Sequence, residues 1–294
     1  MSGAPLLTIA AGGTGGHMFP AQALAEEMLA RGWRVSLMSD ARGLGYAKGF
    51  PEGVVREEVQ SATFARGGLR TKLTAPVAII GGIRKAGARF AADPPACVAG
   101  FGGYPALPAL TAAWWAGLPR IIHEQNAVLG RVNRLFARRV DRVCCGSWPL
   151  LFEPKGAELV HVGNPVRSAV LGFVGEPFLP PGEGTVRLLV FGGSQGASVF
   201  ARLVPQAVAM LPEGVRARLA VTQQVREGEE GAVAEAYRSA AVEAELRPFF
   251  DDMPERIVGA HLVVARAGAD EIAELAETGR PEILVDYHPA VDDH

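Results

Sequence analysis

The sequence predicts an α/β protein made of two doubly wound parallel sheets. Three observations predict it. Short apolar runs alternate with stretches of helical period along the chain. A strand, a Gly-rich turn and a helix open the chain, and the same unit opens again after residue 185. Between the halves, Leu171–Gly184 contains FVGEPFLPPGEG, a Gly- and Pro-rich stretch with no period.

The elements follow in order. Leu6–Ala10 reads as a strand, and a Gly-rich turn follows it. Ala21, Leu24, Ala25, Met28 and Leu29 then recur at helical spacing. Arg34–Met38, Ala96–Ala99, Arg120–His123 and Arg142–Cys145 read as further strands. In the second half, Val186–Phe191 is a strand, Gly192–Gly196 a turn and Ala197–Leu211 a helix. Later strands are expected near Ala217–Val221, Arg247–Phe250, Leu262–Ala265 and Ile283–Val285. The expected domains are residues 1–165 and 186–294, with 166–185 as linker. No helical pattern follows the last strand to cover it, so the second domain is expected to be incomplete. Ligands of such sheets bind outside the carboxyl ends of the strands, and two facing sheets would enclose a cleft.

Composition narrows the function classes. A chain of 294 residues, 49% hydrophobic, suits two cores. No apolar run reaches about 18 residues, so no membrane-spanning helix is expected. The N-terminus lacks the basic and apolar regions of a signal peptide. A net charge of −2 speaks against non-specific nucleic-acid binding. Cys97, Cys144 and Cys145 lie in apolar strand-like runs, which reads as buried thiols in a reducing compartment rather than a disulfide framework.

The first turn reads Ala11-Gly12-Gly13-Thr14-Gly15-Gly16-His17. Its glycines let backbone approach a ligand, and the following helix N-terminus favours anions. It is neither a Walker A loop nor a G-x-G-x-x-G fingerprint. A tight structural turn would explain the glycines equally well. His17 at its mouth is a candidate general base, with a purely structural histidine as the alternative. The second turn, Gly192–Ala197, offers the Ser194 hydroxyl and backbone N–H groups to a diphosphate. A third site, Arg266-Ala267-Gly268-Ala269, opens a helix carrying Glu274. A carboxylate there can accept hydrogen bonds from ribose hydroxyls or simply face solvent.

Six motifs then occur in order over nearly the whole chain. They are GGTGGHMFPA near the start, FGGYPALPA at Phe101–Ala109 and HEQNAVLGRVNR at His123–Arg134, then GNPVR at Gly163–Arg167, GGSQGA at Gly192–Ala197 and FFDDMPE at Phe249–Glu255. Together they resemble the MurG family, the UDP-N-acetylglucosamine:undecaprenyl-pyrophosphoryl-MurNAc-pentapeptide N-acetylglucosaminyltransferases. The resemblance implies a GT-B fold, with acceptor in the first domain and UDP-N-acetylglucosamine mainly in the second. It implies Thr14, Gly15 and Gly16 near donor sugar and acceptor, and Asn126 on the donor sugar. Arg167 and Ser194 would hold the diphosphate region and Phe250 would flank the uracil. Ala269, Asp270, Glu271, Ile272, Ala273 and Glu274 would lie along the nucleotide, with Glu274 on the ribose. The implied chemistry is inverting, with His17 as favoured base, and needs no cofactor and no metal. The implied location is the cytoplasmic face of the bacterial inner membrane, held peripherally.

The chain departs from the family pattern in three places. The family's donor-gripping glutamines would follow His294, the run Asp286-Tyr287-His288-Pro289 differs, and Asp270-Glu271 stand where small, hydroxyl or apolar residues are usual. The expectation is weakened donor binding. Rival readings are an inactive remnant, another GT-B lipid glycosyltransferase, or a UDP-sugar epimerase.

Leu69–Phe90 mixes Ile79, Ile80, Ile83 and Phe90 with Arg70, Lys72, Arg84, Lys85 and Arg89, and Trp114, Trp115, Arg138 and Arg139 could extend that surface. This is either an ordinary amphipathic helix on its sheet or a patch for an anionic membrane surface.

Overall fold

The computed structural model describes residues 3–61, 69–192 and 198–286, with only the backbone course given for 69–74. It divides into two compact units, one ending at Arg167 and the other beginning at Ser168.

The first unit runs β1 (Leu6–Ala10), α1 (Gly15–Ala30), β2 (Arg34–Ser39), α2 (Ala41–Tyr46), β3 (Val54–Glu58), α3 (Leu69–Ala92), β4 (Cys97–Gly100), α4 (Ala106–Trp115), β5 (Arg120–Glu124), α5 (Arg131–Phe136), β6 (Arg142–Cys145) and β7 (Leu159–His161). Its sheet has the order β3-β2-β1-β4-β5-β6-β7, parallel throughout. Strand order reverses between β1 and β4, which is where an open parallel sheet leaves a crevice. All five β1 residues are buried because helices cover both faces. One face packs Val98, Leu110, Ile122 and Phe136, and the other packs Ile9, Met18, Leu37 and Phe101.

The second unit runs α6 (Ser168–Leu171), β8 (Val186–Phe191), α7 (Ser198–Ala209), α8 (Glu213–Arg216), β9 (Leu219–Gln224), α9 (Glu230–Ser239), β10 (Glu243–Arg247), α10 (Met253–Gly259), β11 (Leu262–Arg266), α11 (Ala269–Thr278) and β12 (Glu282–Val285). Its parallel sheet has the order β10-β9-β8-β11-β12, and the order reverses between β8 and β11. Val190, Phe200, Val221 and Tyr237 fill one face, and Leu189, Ile257, Val263 and Leu275 the other. β12 is an edge strand whose Ile283 and Leu284 are exposed.

Several boundaries differ from the sequence reading. The strand expected at Arg247–Phe250 is Glu243–Arg247 instead. It is an edge strand of mixed sequence, EAELR, and the two phenylalanines that suggested a strand lie in the loop beyond it. The strand expected at Ala217–Val221 is Leu219–Gln224, because α8 occupies the residues just before it. β3 and β7, the edges of the first sheet, escaped the reading since half-exposed edges carry no continuous apolar run. The segment read as linker contains α6. Further on, the buried Arg280 donates to Glu176 O at 3.2 Å and stands over the Phe178 ring at 5.9 Å.

The α3 helix packs one side on the core and leaves apolar residues exposed on another. Phe90 is buried, Ile83 packs on the core, and Ile79 is half-buried. Val77 and Ile80 stay exposed, at 72% and 49%. Lys85 Nζ donates to Glu58 O and Arg89 pairs with Glu57. Trp114 and Trp115 at the end of α4 are exposed, and Arg139 stands over the Trp114 ring at 5.2 Å. The side chains of Arg70 and Lys72 lie outside the described residues.

Candidate active site

In the first unit the sequence motifs meet at the carboxyl ends of the strands. The chain leaves β1 through Gly12, where a side chain has no room. A Cβ there would stand 2.7 Å from Pro105 Cγ and 2.8 Å from Ser39 Oγ. Thr14 then N-caps α1 from an extended conformation, and no acidic residue occupies the first turn of that helix.

His17 points back into this turn. Its Nδ1 lies 3.1 Å from Gly12 O and 3.4 Å from Thr14 Oγ1. A carbonyl oxygen only accepts, so the neutral tautomer that bonds Gly12 O is the one with its hydrogen on Nδ1. The imidazole lies over Gly102 and Gly103, both at positive φ. A Cβ on Gly102 would approach His17 Nε2 to 3.1 Å, and one on Gly103 would approach Gly12 O to 2.6 Å.

The end of β5 carries HEQN. His123 is buried, its ring 5.3 Å from that of Phe101, and its Nε2 donates to Gly163 O at 3.1 Å. Burial pushes its pKa below the ordinary imidazole range. The Gln125 carbonyl accepts from Ser147 Oγ at 3.0 Å and from Asn164 Nδ2 at 3.2 Å. HEQN and GNPVR, far apart in sequence, are therefore joined across β6 and β7. Asn126 is half-buried, and its Nδ2 donates to Glu124 Oε1 at 3.3 Å. The Arg167 guanidinium stands 4.2 Å over the Phe19 ring of α1, beside the first turn. The structure thus gathers Thr14, Gly15, Gly16, His17, Asn126 and Arg167 at one end of one sheet.

The second unit places its candidates at the corresponding strand ends. Gly192 follows β8, and its N–H donates to Gln224 Oε1 at 3.4 Å. Ser194 lies outside the described residues. Phe250 follows β10, but its ring is 2% exposed and is covered by Arg256 at 4.4 Å and Arg247 at 5.7 Å. The ring that faces outward is Phe249, 57% exposed. The repeated Phe in FFDDMPE was the signal for it.

β11 leads into α11, which holds Ala269, Asp270, Glu271, Ile272, Ala273 and Glu274 in its first turns. Asp270 and Glu271 are half-buried. A Cβ on the N-cap Gly268 would stand 2.0 Å from a Glu271 carboxylate oxygen. The carboxylate is thus folded over the helix N-terminus, where the helix field favours negative charge.

Sequence reasoning quoted Glu124, Gly102, Gly103 and Asn133 within its motifs without reading a role for them. Gly102 and Gly103 face His17 and Gly12, distant in sequence, whereas Glu124 and Asn133 meet near neighbours through a turn that no helix or strand period encodes. Burial pushes the pKa of Cys97 and Cys145 up to about 11 and raises that of Cys144, so all three are protonated at neutral pH. Among the described residues no group of three or more His, Cys, Asp or Glu could hold a metal, and no helix is long and apolar enough to cross a membrane.

Two parallel-sheet α/β units, superposable on a MurG crystal structure, place the chain in the GT-B class of glycosyltransferases. The chain matches the Glycosyltransferase family 28 N-terminal domain over residues 7–145 and the family's C-terminal domain over residues 187–294. Curated relatives name the branch. The UDP-N-acetylglucosamine--N-acetylmuramyl-(pentapeptide) pyrophosphoryl-undecaprenol N-acetylglucosamine transferase of Chelativorans sp. (strain BNC1) is 46% identical over 99% of this chain and 78% of its own length. The protein of the same name from Caulobacter vibrioides (strain NA1000 / CB15N) is 49% identical over 98% of this chain and 80% of its own. The crystal structure of Acinetobacter baumannii MurG superposes with a TM-score of 0.71 at 28% identity, covering 99% of this chain and 81% of that one. The chain belongs to the MurG family.

Proposed function

We propose that the chain transfers N-acetylglucosamine from UDP-N-acetylglucosamine to the 4-hydroxyl of a lipid-linked MurNAc-pentapeptide, a step of peptidoglycan synthesis. The observation that carries this reading is family membership at 46–49% identity over nearly the whole chain. The His17 geometry gives it a chemistry. With Nδ1–H held by Gly12 O, Nε2 takes the proton of the acceptor hydroxyl. The hydroxyl oxygen then attacks the anomeric carbon, the bond to UDP breaks, and the configuration inverts. Asn126 meets the donor sugar, Thr14, Gly15 and Gly16 line its approach, and Arg167 and Ser194 meet the diphosphate. Ala269–Glu274 lie along the nucleotide, with Glu274 on the ribose. Because the Phe250 ring is buried, a uracil would meet the Phe250 backbone or the exposed Phe249 ring.

The test is transfer of labelled N-acetylglucosamine to a short-chain lipid-linked muramyl-peptide. Transfer is expected to this acceptor and not to non-muramyl lipids. Absence of transfer with intact fold would overturn the reading.

The enzyme works at the cytoplasmic face of the inner membrane, held peripherally on anionic lipid. Exposed Val77 and Ile80 on α3, Trp114 and Trp115 on α4, and the basic residues near them support this. Each basic residue near the surface adds about 1 kcal/mol, weakened by salt. Ile80→Glu should weaken co-sedimentation with anionic vesicles and leave the fold intact, since Ile80 is on the outer face whereas Ile83 packs on the core. Sedimentation indifferent to lipid charge and to this substitution would refute it.

A further inference from the structure

Glu124 is a buried carboxylate held by four N–H donors, and neither the resemblance nor the proposed reaction uses it. It ends β5 and is 3% exposed. Its Oε1 accepts from the Asn126 backbone N–H at 3.2 Å and from Asn126 Nδ2 at 3.3 Å. Its Oε2 accepts from the Gly130 N–H at 2.8 Å and from Asn133 Nδ2 at 2.9 Å. Asn133, buried on α5, also donates from Nδ2 to His123 O at 2.9 Å. The main chain is tied as well, since Glu124 O accepts from the Gly146 N–H at 2.7 Å. A burial this deep excludes solvent, and N–H donors satisfy both carboxylate oxygens.

This arrangement decides which way Asn126 faces. A carboxylate offers only acceptors, so the Asn126 NH2 must turn toward Glu124, and Oδ1 is the atom left for a ligand. We infer that Glu124 is a positioning residue that fixes the carboxamide of Asn126 with its oxygen outward, so that this subsite selects a ligand group that donates a hydrogen bond, a sugar hydroxyl or an amide N–H. The inference rests on the reading that Asn126 meets the donor sugar. Glu124 takes no proton from substrate, because both of its oxygens are held inside the protein.

Glu124→Gln tests it. Each carboxylate oxygen meets two N–H donors, so a carboxamide sets its NH2 against two donors in either orientation. Calorimetry should show UDP-N-acetylglucosamine binding weakened about tenfold, as for one lost hydrogen bond, with UDP binding unchanged. Hydrogen exchange at Gly130 should rise. Asn126→Asp, at a half-buried position, is the second variant should Glu124→Gln fold poorly. It sets oxygen against oxygen at Glu124 and should weaken the sugar nucleotide selectively too. In an Asn126→Ala background, Glu124→Gln should add little. Additive losses would overturn the positioning role, as would equal losses for UDP and UDP-N-acetylglucosamine, which mark a merely structural residue. A fall in kcat that removes the acidic limb of the pH profile at constant KM would make Glu124 a base and overturn it too. If Asn126→Ala and Asn126→Asp leave sugar-nucleotide binding unchanged, the sugar reading of Asn126 is overturned and the proposed selectivity with it. A rise in exchange at Gly130 would then still register the Glu124 anchor separately.

Discussion

The two helices that start at the inner strands of each sheet treat negative charge in opposite ways. α1 follows β1 with no acidic residue in its first turn, and its mouth holds His17. α11 follows β11 with Asp270 and Glu271 in its first turn, and the Glu271 carboxylate lies over its N-cap. Both helices have the partial positive charge of an N-terminus. In α1 no acidic side chain of the first turn meets that field. In α11 the protein's own side chains already use it, which lowers what remains for an incoming diphosphate. The lesson is that a Gly-rich strand-to-helix turn marks where an anion could bind, and the first-turn residues decide how strongly.

The largest expected effect lies on the α1 side. His17→Ala should lower turnover about 10²–10⁴-fold, the usual range for a lost general base, with the melting temperature little changed. Near-wild-type transfer to the lipid-linked acceptor would remove His17 from the chemistry and leave the α1 turn as structure alone.

Next is the support beneath His17. Gly103 is at φ +73°, and a Cβ there would meet Gly12 O, the acceptor of the His17 hydrogen bond. Gly103→Ala should destabilise the fold by about 1–3 kcal/mol through backbone strain and close contact, and should lower turnover as well. Denaturant titration beside the transfer assay measures both, and a stable variant of full activity would show that the imidazole does not depend on this floor.

The α11 side should respond in the opposite sense. Like charges about 4 Å apart repel by about 4 kcal/mol at an effective dielectric of about 20, and exposure and salt reduce this strongly. Asp270→Ser should therefore tighten UDP binding by about tenfold or less, more so at low salt, whereas Glu274→Ala should weaken it by about 1 kcal/mol. Calorimetry indifferent to both would show that the nucleotide does not lie on α11.

The smallest effect is one of pH. Burial holds His123 neutral in the folded chain, below the range in which an unfolded imidazole titrates. Below about pH 6.5 the unfolded chain therefore binds the extra proton, and stability falls as pH drops through that point, with no change above it. His261 shifts in the same direction. His123→Gln, which keeps an N–H donor for Gly163 O, should flatten part of this slope in melts between pH 7.5 and 5. An unchanged slope would assign it to other groups.

Much of the molecule was legible in the residues. The inner strands β1, β2, β4, β5, β6, β8 and β11, and the apolar edge strand β12, were anticipated to within about two residues, the usual scatter of element ends. β3, β7 and β10 were missed or misplaced because edge strands are only half covered. The site motifs were likewise visible as strings. The chain by itself determined the alternation of strand and helix, the two Gly-rich turns and the family, because periodicity and motif spacing are properties of neighbours along the backbone. Only the tertiary structure decided that His17 Nδ1 meets Gly12 O, and that Phe249 rather than Phe250 is exposed. It alone decided that Val77 and Ile80 face outward while Phe90 faces the core, and that Glu124 and Asn133 orient Asn126. The exposure of Phe249, Val77 and Ile80 is set by which side of the chain meets segments far apart in sequence, whereas the His17 and Glu124 contacts close short turns whose path no periodicity encodes.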